Sequence, residues 1–160
     1  MAELRVGLGF DAHAFADGVP LVLGGVAFDS ARGLAGHSDG DVLTHALIDA
    51  VLGAAGLGDI GELFPSGAET PIGTSSLRLL EQAVARVRKA GWELVNADCI
   101  LVGEQPRIAP RRQELRAQLA AAARVEPERI AVRATTTDKL GFTGRGEGLA
   151  AQAVALITRA

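Results

Sequence analysis

The stretch that decides the fold is L-R-V-G-L-G-F-D-A-H-A-F, residues 4–15, where apolar residues roughly alternate with small or polar ones. A period of two predicts a β-strand with two different faces. The short apolar run P-L-V-L-G-G-V-A-F, residues 20–28, predicts a second strand that forms a hairpin with the first. The chain is therefore expected to open with part of a sheet.

Three segments with helical spacing follow and predict amphipathic helices. The first two begin with hydroxyl or carboxylate side chains that can cap a helix, and both of these end at a glycine. The predicted helices run from the capping signal S-D-G-D (38–41) to Gly56 or Gly58, from Thr74, Ser75 or Ser76 to Gly91 with a stripe of Leu77, Leu80, Val84 and Val87, and over 110–123.

The remaining segments complete a sheet and leave one long connection. Residues 92–102 and 130–136 are predicted strands, whereas 149–157 fits a helix or a strand by periodicity, and we favour a strand. The glycine- and proline-rich stretch 58–73 is a long loop, of the kind that is usually functional. We expect an α+β fold: a single domain over 1–160, built as a two-layer α/β sandwich with a mixed sheet and helices packed on one face.

Composition excludes several classes of protein. The 160 residues include 16 basic and 19 acidic side chains, which gives a net charge of −3 and argues against a nucleic-acid-binding module. The lone cysteine, Cys99, cannot form an intrachain disulfide and is expected in the core, which favours a cytoplasmic location. No apolar stretch is long enough to cross a membrane, and no secretory leader opens the chain.

The three histidines suggest a metal site. Asp11 and His13 are two residues apart on a predicted strand, so their side chains leave the same face about 7 Å apart. With His45, from the first predicted helix, they offer three ligands, the number that leaves a fourth position open on tetrahedral zinc. Asp49, one turn after His45, is the expected outer partner of that histidine. The alternative is that these histidines are ordinary hydrogen-bonded structural residues.

Two glycine-rich stretches are candidate ligand sites. The pattern G-x-G-x-x-A at residues 7–12 lies inside a strand with no helix after it, so a dinucleotide-binding site is rejected. The run T-T-T-D at 135–138, followed by G-F-T-G-R-G-E-G at 141–148, supplies hydroxyls, backbone N–H groups and carboxylates that suit phosphate and a hard cation. A capped turn with an exposed ion pair explains the same residues.

Four motifs, taken together, resemble one enzyme family. They are F-D-A-H (10–13), H-S-D-G-D-V-L-T-H-A-L (37–47), G-D-I-G-E-L-F-P (58–65) and T-T-T-D-K-L-G-F-T-G-R-G-E-G (135–148). In order and spacing they closely resemble the 2-C-methyl-D-erythritol 2,4-cyclodiphosphate synthases of the non-mevalonate isoprenoid pathway. The resemblance implies a homotrimer with active sites between subunits and a metal-dependent phosphorus-oxygen lyase. Such an enzyme cyclises 4-diphosphocytidyl-2-C-methyl-D-erythritol 2-phosphate and releases CMP.

The resemblance also implies roles for individual residues. Asp11, His13 and His45 would hold Zn²⁺, and Asp138 would hold Mg²⁺ or Mn²⁺ that bridges the diphosphate. His37 and Thr136 would be the catalytic donors. Further substrate contacts, besides Asp11, His13 and the two donors, would come from Ser38, from Asp59, Ile60 and Gly61 in the erythritol-binding turn, from Phe64, Pro65, Ser66, Gly67 and Ala68 in the adjoining loop, from Gly103, Arg107, Ile108 and Ala109 around cytidine, and from Thr135, Thr137, Asp138, Phe142 and Arg145.

Three residues depart from the pattern common in the family: Asp138 stands in place of Glu, Ser66 in place of Asp and Arg107 in place of Lys. Each retains chemistry that suits its position. Two other functions use some of the same residues. A zinc-dependent phosphohydrolase would use the metal pocket on water, and a non-catalytic trimeric nucleotide sensor would need the phosphate loop without the metal ligands.

Overall fold

The computed structural model describes residues 1–159 and contains seven strands and five α-helices over that range. The strands are β1 (Glu3–Asp17), β2 (Leu21–Leu23), β3 (Val26–Phe28), β4 (Arg32–Leu34), β5 (Glu93–Val102), β6 (Ile130–Thr135) and β7 (Gly148–Arg159). The helices are α1 (Val42–Ala55), α2 (Ile60–Leu63), α3 (Ser76–Lys89), α4 (Arg112–Ala123) and α5 (Gly141–Gly144).

Five of these strands form the main sheet, in the order β4-β1-β7-β5-β6. β1 and β7 pair antiparallel along almost their whole length, from Glu3↔Arg159 to Ala14↔Gly148. β5 and β6 are parallel, so the sheet is mixed as expected. The ambiguous segment 149–157 is a strand, which confirms that preference.

Helix α1 lies unusually close to β1. An added Cβ at Gly9 would come within 1.8 Å of the backbone oxygen of Ala46, and one at Gly7 within 1.9 Å of the backbone oxygen of Ala50. Only glycine lets the helix backbone approach the strand to this distance. The two elements that carry the candidate metal ligands are therefore packed directly against each other.

The core lies between this helical layer and one face of the sheet. It consists mainly of Leu, Val, Ile and Ala side chains with one buried indole, Trp92, whose ring contacts the guanidinium groups of Arg5 and Arg159. Cys99 is fully buried, and burial raises the pKa of its thiol to about 12. The expectation that Cys99 is a core residue is confirmed.

The opposite face of the sheet is bare. Alternate residues of β1 point away from the helices, together with one from β7, and these side chains are 43–68 % exposed: Leu4, Val6, Leu8, Phe10 and Val154. A contiguous apolar patch of this kind usually marks an interaction surface.

The prediction for residues 20–28 was wrong in its detail. The run is two short strands, β2 and β3, paired with each other and not with β1. Gly24 and Gly25 both have positive φ, 56° and 74°, and form the tight turn that joins β2 to β3. Asp41, which caps α1, accepts hydrogen bonds from both of their N–H groups at 2.9 and 2.8 Å. β1 pairs instead with β4.

Other expectations hold with small shifts. α1 ends at Gly56, in the left-handed conformation, as its sequence predicts. The loop 58–73 contains the single turn α2. In α3, Leu79 is buried while Leu77 is only partly so, because the helix is rotated slightly from the predicted stripe. Within residues 1–159 no helix is long and apolar enough to cross a membrane.

Candidate metal centre and phosphate site

Three predicted ligands come together at one end of the sheet. The Oδ2 atom of Asp11 lies 2.8 Å from Nε2 of His13 and 3.0 Å from Nδ1 of His45, and the two nitrogens are 3.2 Å apart. Tetrahedral zinc, with ligand distances of about 2.0–2.2 Å, would hold its ligand atoms about 3.4 Å apart. The donor set therefore fits a divalent cation after a small outward movement.

The fold explains why these three side chains meet. Asp11 and His13 point to the helix side of β1, the same side as Gly9. His45 lies in the first turn of α1, where its N–H donates to the carbonyl of Asp41. Since α1 rests on β1 at Gly9, the ring of His45 is brought over Asp11 and His13.

The two ligands on β1 influence each other's charge. Burial alone would raise the pKa of Asp11, but the adjacent rings of His13 and His45 outweigh that effect and lower the pKa to about 2. Hydrogen bonding to Asp11 raises the pKa of His13, against the opposing effect of burial. Asp11 is thus held as a carboxylate, the form that binds a metal.

The far nitrogens of both histidine rings are also engaged. Nδ1 of His13 donates to the carbonyl of Ala35 at 2.6 Å, which leaves Nε2 free to bind a metal. Nε2 of His45 lies 2.8 Å from the hydroxyl of Ser76 and 3.0 Å from that of Ser38. The prediction that Asp49 supports His45 was wrong.

Asp49 holds a different segment. Its carboxylate accepts from the N–H of Ile60 at 2.8 Å, and burial raises its pKa. It therefore anchors the start of α2, where Asp59 caps the helix through the N–H of Glu62. Asp49 places the predicted erythritol-binding turn and does not contact the metal ligands.

The ligands lie in a cavity of about 270 Å³. Its lining includes most of the residues expected on the metal side, namely Asp11, His13, His37, Ser38, His45, Ile60, Gly61, Phe64 and Ser66. Of the other loop residues, Asp59, Pro65, Gly67 and Ala68 do not line it. Thr70 and Leu79 do, although sequence reasoning missed them; a threonine and a leucine carry no signal by themselves.

His37, which lines the cavity, is hydrogen-bonded to the loop 58–73. Its Nε2 donates to the carbonyl of Thr70, and its own carbonyl accepts from the N–H of Gly73 at 2.9 Å. The loop that forms one wall of the cavity is thus attached to the turn that precedes α1. A movement of this loop would also move the ring of His37.

The predicted nucleotide residues gather at a second cleft, of about 340 Å³. It is lined by Gly103, Glu104, Gln105, Pro106, Arg107, Ala134, Thr135 and Thr136. Ile108 is buried beneath it, and Ala109 begins the following turn. Glu104 was not predicted, yet its carboxylate accepts from the N–H of Lys139 at 3.1 Å and holds the adjacent loop.

That loop carries Asp138 on the surface. Asp138 and Lys139 both have positive φ, 54° and 65°, an uncommon conformation for residues other than glycine. The hydroxyl of Thr137 donates to the carbonyl of Leu140 at 2.6 Å, which closes the turn. Phe142 borders a separate small cleft beside His13, and Arg145 pairs with Glu147 at 2.9 Å on the surface.

The two clefts lie at the same level of the sheet but on different strands. The register partners Ala12, Ala150, Val102 and Thr135 form one row across β1, β7, β5 and β6. Neighbouring strands are about 4.8 Å apart, so three steps separate the metal ligands from the threonines by about 14 Å. One copy of the chain therefore does not close a single pocket around both groups.

Comparison with known proteins identifies the family of this chain. The model of the YgbB family matches residues 4–158. The chain belongs to the YgbB family. A member of it from Rubrobacter xylanophilus, named 2-C-methyl-D-erythritol 2,4-cyclodiphosphate synthase, is 56 % identical over all of this chain and 98 % of its own length.

Solved structures of the family superpose on the whole fold. The bifunctional IspDF of Campylobacter jejuni matches with a TM-score of 0.95 and 43 % identity, over 100 % of this chain and 43 % of that longer protein. A 2C-methyl-D-erythritol-2,4-cyclodiphosphate synthase in a CDP-bound form matches with a TM-score of 0.87 and 36 % identity, over 96 % of this chain and 99 % of the other.

Proposed function

We propose that this chain cyclises 4-diphosphocytidyl-2-C-methyl-D-erythritol 2-phosphate to 2-C-methyl-D-erythritol 2,4-cyclodiphosphate and releases CMP. The observation that carries the proposal is the convergence of Asp11, His13 and His45 in the cavity of a chain whose relatives, at about half identity or more, are named for this reaction. The comparisons support neither the phosphohydrolase nor the nucleotide sensor.

The metal-side cavity binds and orients the erythritol phosphate. Asp11, His13 and His45 would hold a divalent cation, which we take to be Zn²⁺ from the two nitrogens and one oxygen offered. When bound, that ion polarises a phosphate oxygen and offsets its charge. Ser38 and the turn from Asp59 to Gly61 contact the sugar.

The nucleotide side binds the cytidine diphosphate. The segment 103–109 surrounds the base, with Arg107 towards phosphate, and Thr135 to Asp138 hold the diphosphate through hydroxyl and N–H groups. Asp138 would hold a second cation, Mg²⁺ or Mn²⁺, whose preferred donors are oxygens. Phe142 and Arg145 are further ligand contacts.

The reaction needs positioning and charge neutralisation more than proton transfer. The 2-phosphate is already ionised, so its oxygen attacks the β-phosphorus without a general base, and the bond to the CMP oxygen breaks. His37 and Thr136 donate hydrogen bonds to oxygens that gain charge as this happens. Holding nucleophile and diphosphate in line supplies much of the rate.

The bare face of the sheet supports a homotrimer with sites between subunits. Leu4, Val6, Leu8, Phe10 and Val154 are too exposed for a monomer of this size, and burying them against copies of the chain removes that patch from water. Such an assembly places the nucleotide cleft of one subunit against the metal cavity of another. This closes the gap that a single chain leaves.

Phosphorus NMR tests the reaction directly. Incubation with the diphosphocytidyl substrate and both cations should replace its phosphorus signals with those of a cyclic diphosphate and CMP. Release of inorganic phosphate would instead indicate a phosphohydrolase. Unchanged substrate signals with tight binding would indicate a sensor, and either result would refute the proposal.

A further inference from the structure

A short polar chain lies behind the ring of His45, on the side away from Asp11 and His13. Nε2 of His45 is 2.8 Å from the hydroxyl oxygen of Ser76, which is fully buried. The same hydroxyl contacts Oδ1 of Asp39. His45, Ser76 and Asp39 are therefore connected in series.

Counting protons fixes the direction of these hydrogen bonds. A carboxylate can only accept, and that of Asp39 accepts from the N–H groups of Asp41 and Ser76 at 3.1 and 3.0 Å. The contact between Ser76 and Asp39 must then use the single hydroxyl proton of Ser76. With that proton committed, the oxygen of Ser76 can only accept from Nε2–H of His45.

This direction has a consequence for the metal-binding atom. A neutral imidazole carries one proton, and if it is on Nε2 then Nδ1 has a free lone pair. Nδ1 is the atom that faces Asp11 and His13. Fixing the far nitrogen of a ligating histidine sets both its tautomer and the orientation of its ring.

We propose that Ser76 and Asp39 are positioning residues that hold His45 with Nδ1 directed at the metal. The inference rests on the metal centre of the proposed function and adds residues from outside it. Neither residue is one of the three candidate metal ligands. Ser76 is the first residue of α3, and Asp39 lies in the turn before α1. Asp39 thus ties the start of α3 to the histidine that α1 carries.

Ser38 is a competing partner for the same nitrogen, at 3.0 Å. It differs from Ser76 in two respects. Ser38 lines the open cavity, where water and substrate compete for its hydroxyl, whereas Ser76 is sealed from solvent. Ser38 also lacks a carboxylate contact that would commit its proton. Ser38 is therefore a partial substitute when Ser76 is removed.

The test measures zinc affinity of the full chain by competition with a chelating dye. Ser76→Ala should bind zinc about 10- to 100-fold more weakly than the parent, the usual effect of losing an outer partner of a ligating histidine. Ser75→Ala is the matched control, because the neighbouring Ser75 makes no side-chain capping bond, and it should bind like the parent. Ser38→Ala/Ser76→Ala should be weaker than Ser76→Ala.

A second variant and an NMR measurement test the same proposal independently, in case Ser76→Ala folds poorly. Asp39→Asn preserves shape but replaces one acceptor oxygen by a donor, and should also weaken zinc binding. In the zinc-loaded parent, ¹⁵N-resolved NMR should show a slowly exchanging Nε2–H of His45. In Ser76→Ala that proton should exchange rapidly.

The outcomes separate this inference from the proposed function. If the parent binds zinc tightly and both Ser76→Ala and Asp39→Asn bind it equally well, the inference is wrong and the function stands. The same follows if the Nε2–H proton is unaffected by Ser76→Ala. If the parent binds no zinc, the metal centre itself is wrong and the inference falls with it.

Discussion

The metal cavity and the nucleotide cleft are built in opposite ways. The metal ligands come from the longest strand and the most buried helix, and their outer nitrogens are all engaged. The proposed nucleotide residues Thr135, Thr136 and Asp138 are exposed and lie at the end of β6 and in the turn after it, which Glu104 and the hydroxyl of Thr137 hold. A single chain therefore holds the metal side of the site in a fixed, buried arrangement, whereas the nucleotide side remains exposed to solvent.

This difference has a physical reason. A metal centre tolerates little error in the position of its ligands, so they are best held by a rigid core. A diphosphate can be held by hydroxyls and N–H groups from a turn, provided that another surface closes over it. The exposed apolar face suggests where that surface comes from: a second copy of the chain.

Removing a metal ligand should have the largest effect. His45→Ala and His13→Ala each delete one of the three donors, so zinc content should fall towards zero. Because a bound metal supplies several kcal/mol of transition-state stabilisation, activity should fall on the order of a thousandfold. Metal analysis of the purified variants checks the first result. Full zinc content in both variants would show that the cluster is not the metal site.

Separating α1 from β1 should come next. Gly9→Ala places a methyl group against the backbone of Ala46, so the helix must move, and we expect a loss of about 3 kcal/mol of unfolding free energy or more, with weaker zinc binding. Gly53→Ala is the matched control on the solvent side of α1, where nothing lies within 4 Å. It should stabilise the protein by about 0.5–1 kcal/mol. Urea unfolding measures both; equal stabilities would contradict the close packing.

On the nucleotide side, Asp138→Asn should reduce kcat on the order of a hundredfold, because it removes the charge proposed to hold the second cation. Asp138→Glu should keep most of the activity, since the carboxylate remains. The loss should appear in kcat more than in KM, as charge on the departing CMP grows only in the transition state. Parent-like turnover of Asp138→Asn with saturating Mg²⁺ would leave Asp138 as a structural residue of the turn.

Mixing variants tests whether the two halves belong to different subunits. In a 1:1 mixture of His45→Ala and Asp138→Ala, after subunit exchange, about a quarter of the shared sites have both halves intact. Activity should then rise from nearly zero towards about a quarter of the parent value. A mixture of His45→Ala with His13→Ala, both damaged in the metal half, should recover nothing. Light scattering that shows an active monomer would rule out shared sites.

The sequence predicted the metal ligands better than their surroundings. Asp11 and His13 share a face because a strand has a period of two, and that rule needs no tertiary information. Asp49 was assigned to His45 from the helical period, yet its carboxylate is used by Ile60, while the partner of His45 is Ser76, 31 residues away. Local periodicity gives no information about which distant element packs behind a ring.

The same limit explains the errors in the fold. The apolar run 20–28 predicts one strand beside β1, because nothing in it shows that Asp41 accepts hydrogen bonds from the N–H groups of both Gly24 and Gly25. β4 has only three residues, too few to show a period. The long strands and helices repeat their pattern several times, so their sequences predict them with bounds that differ by a few residues, although the periodicity of β7 fits a helix as well.

The two faces of strand β1 restrict how this chain can change in evolution. Its odd-numbered residues from Gly7 to His13 serve the helix and the metal ligands, and its even-numbered residues from Leu4 to Phe10 form the bare apolar face. An insertion or deletion of one residue would exchange the two faces at once, putting the ligands outside and the large side chains against α1. Point substitutions at even positions, in contrast, would alter the proposed subunit contacts while the ligands stay in place. The proposed assembly can therefore change by substitution, whereas the length of this strand is fixed.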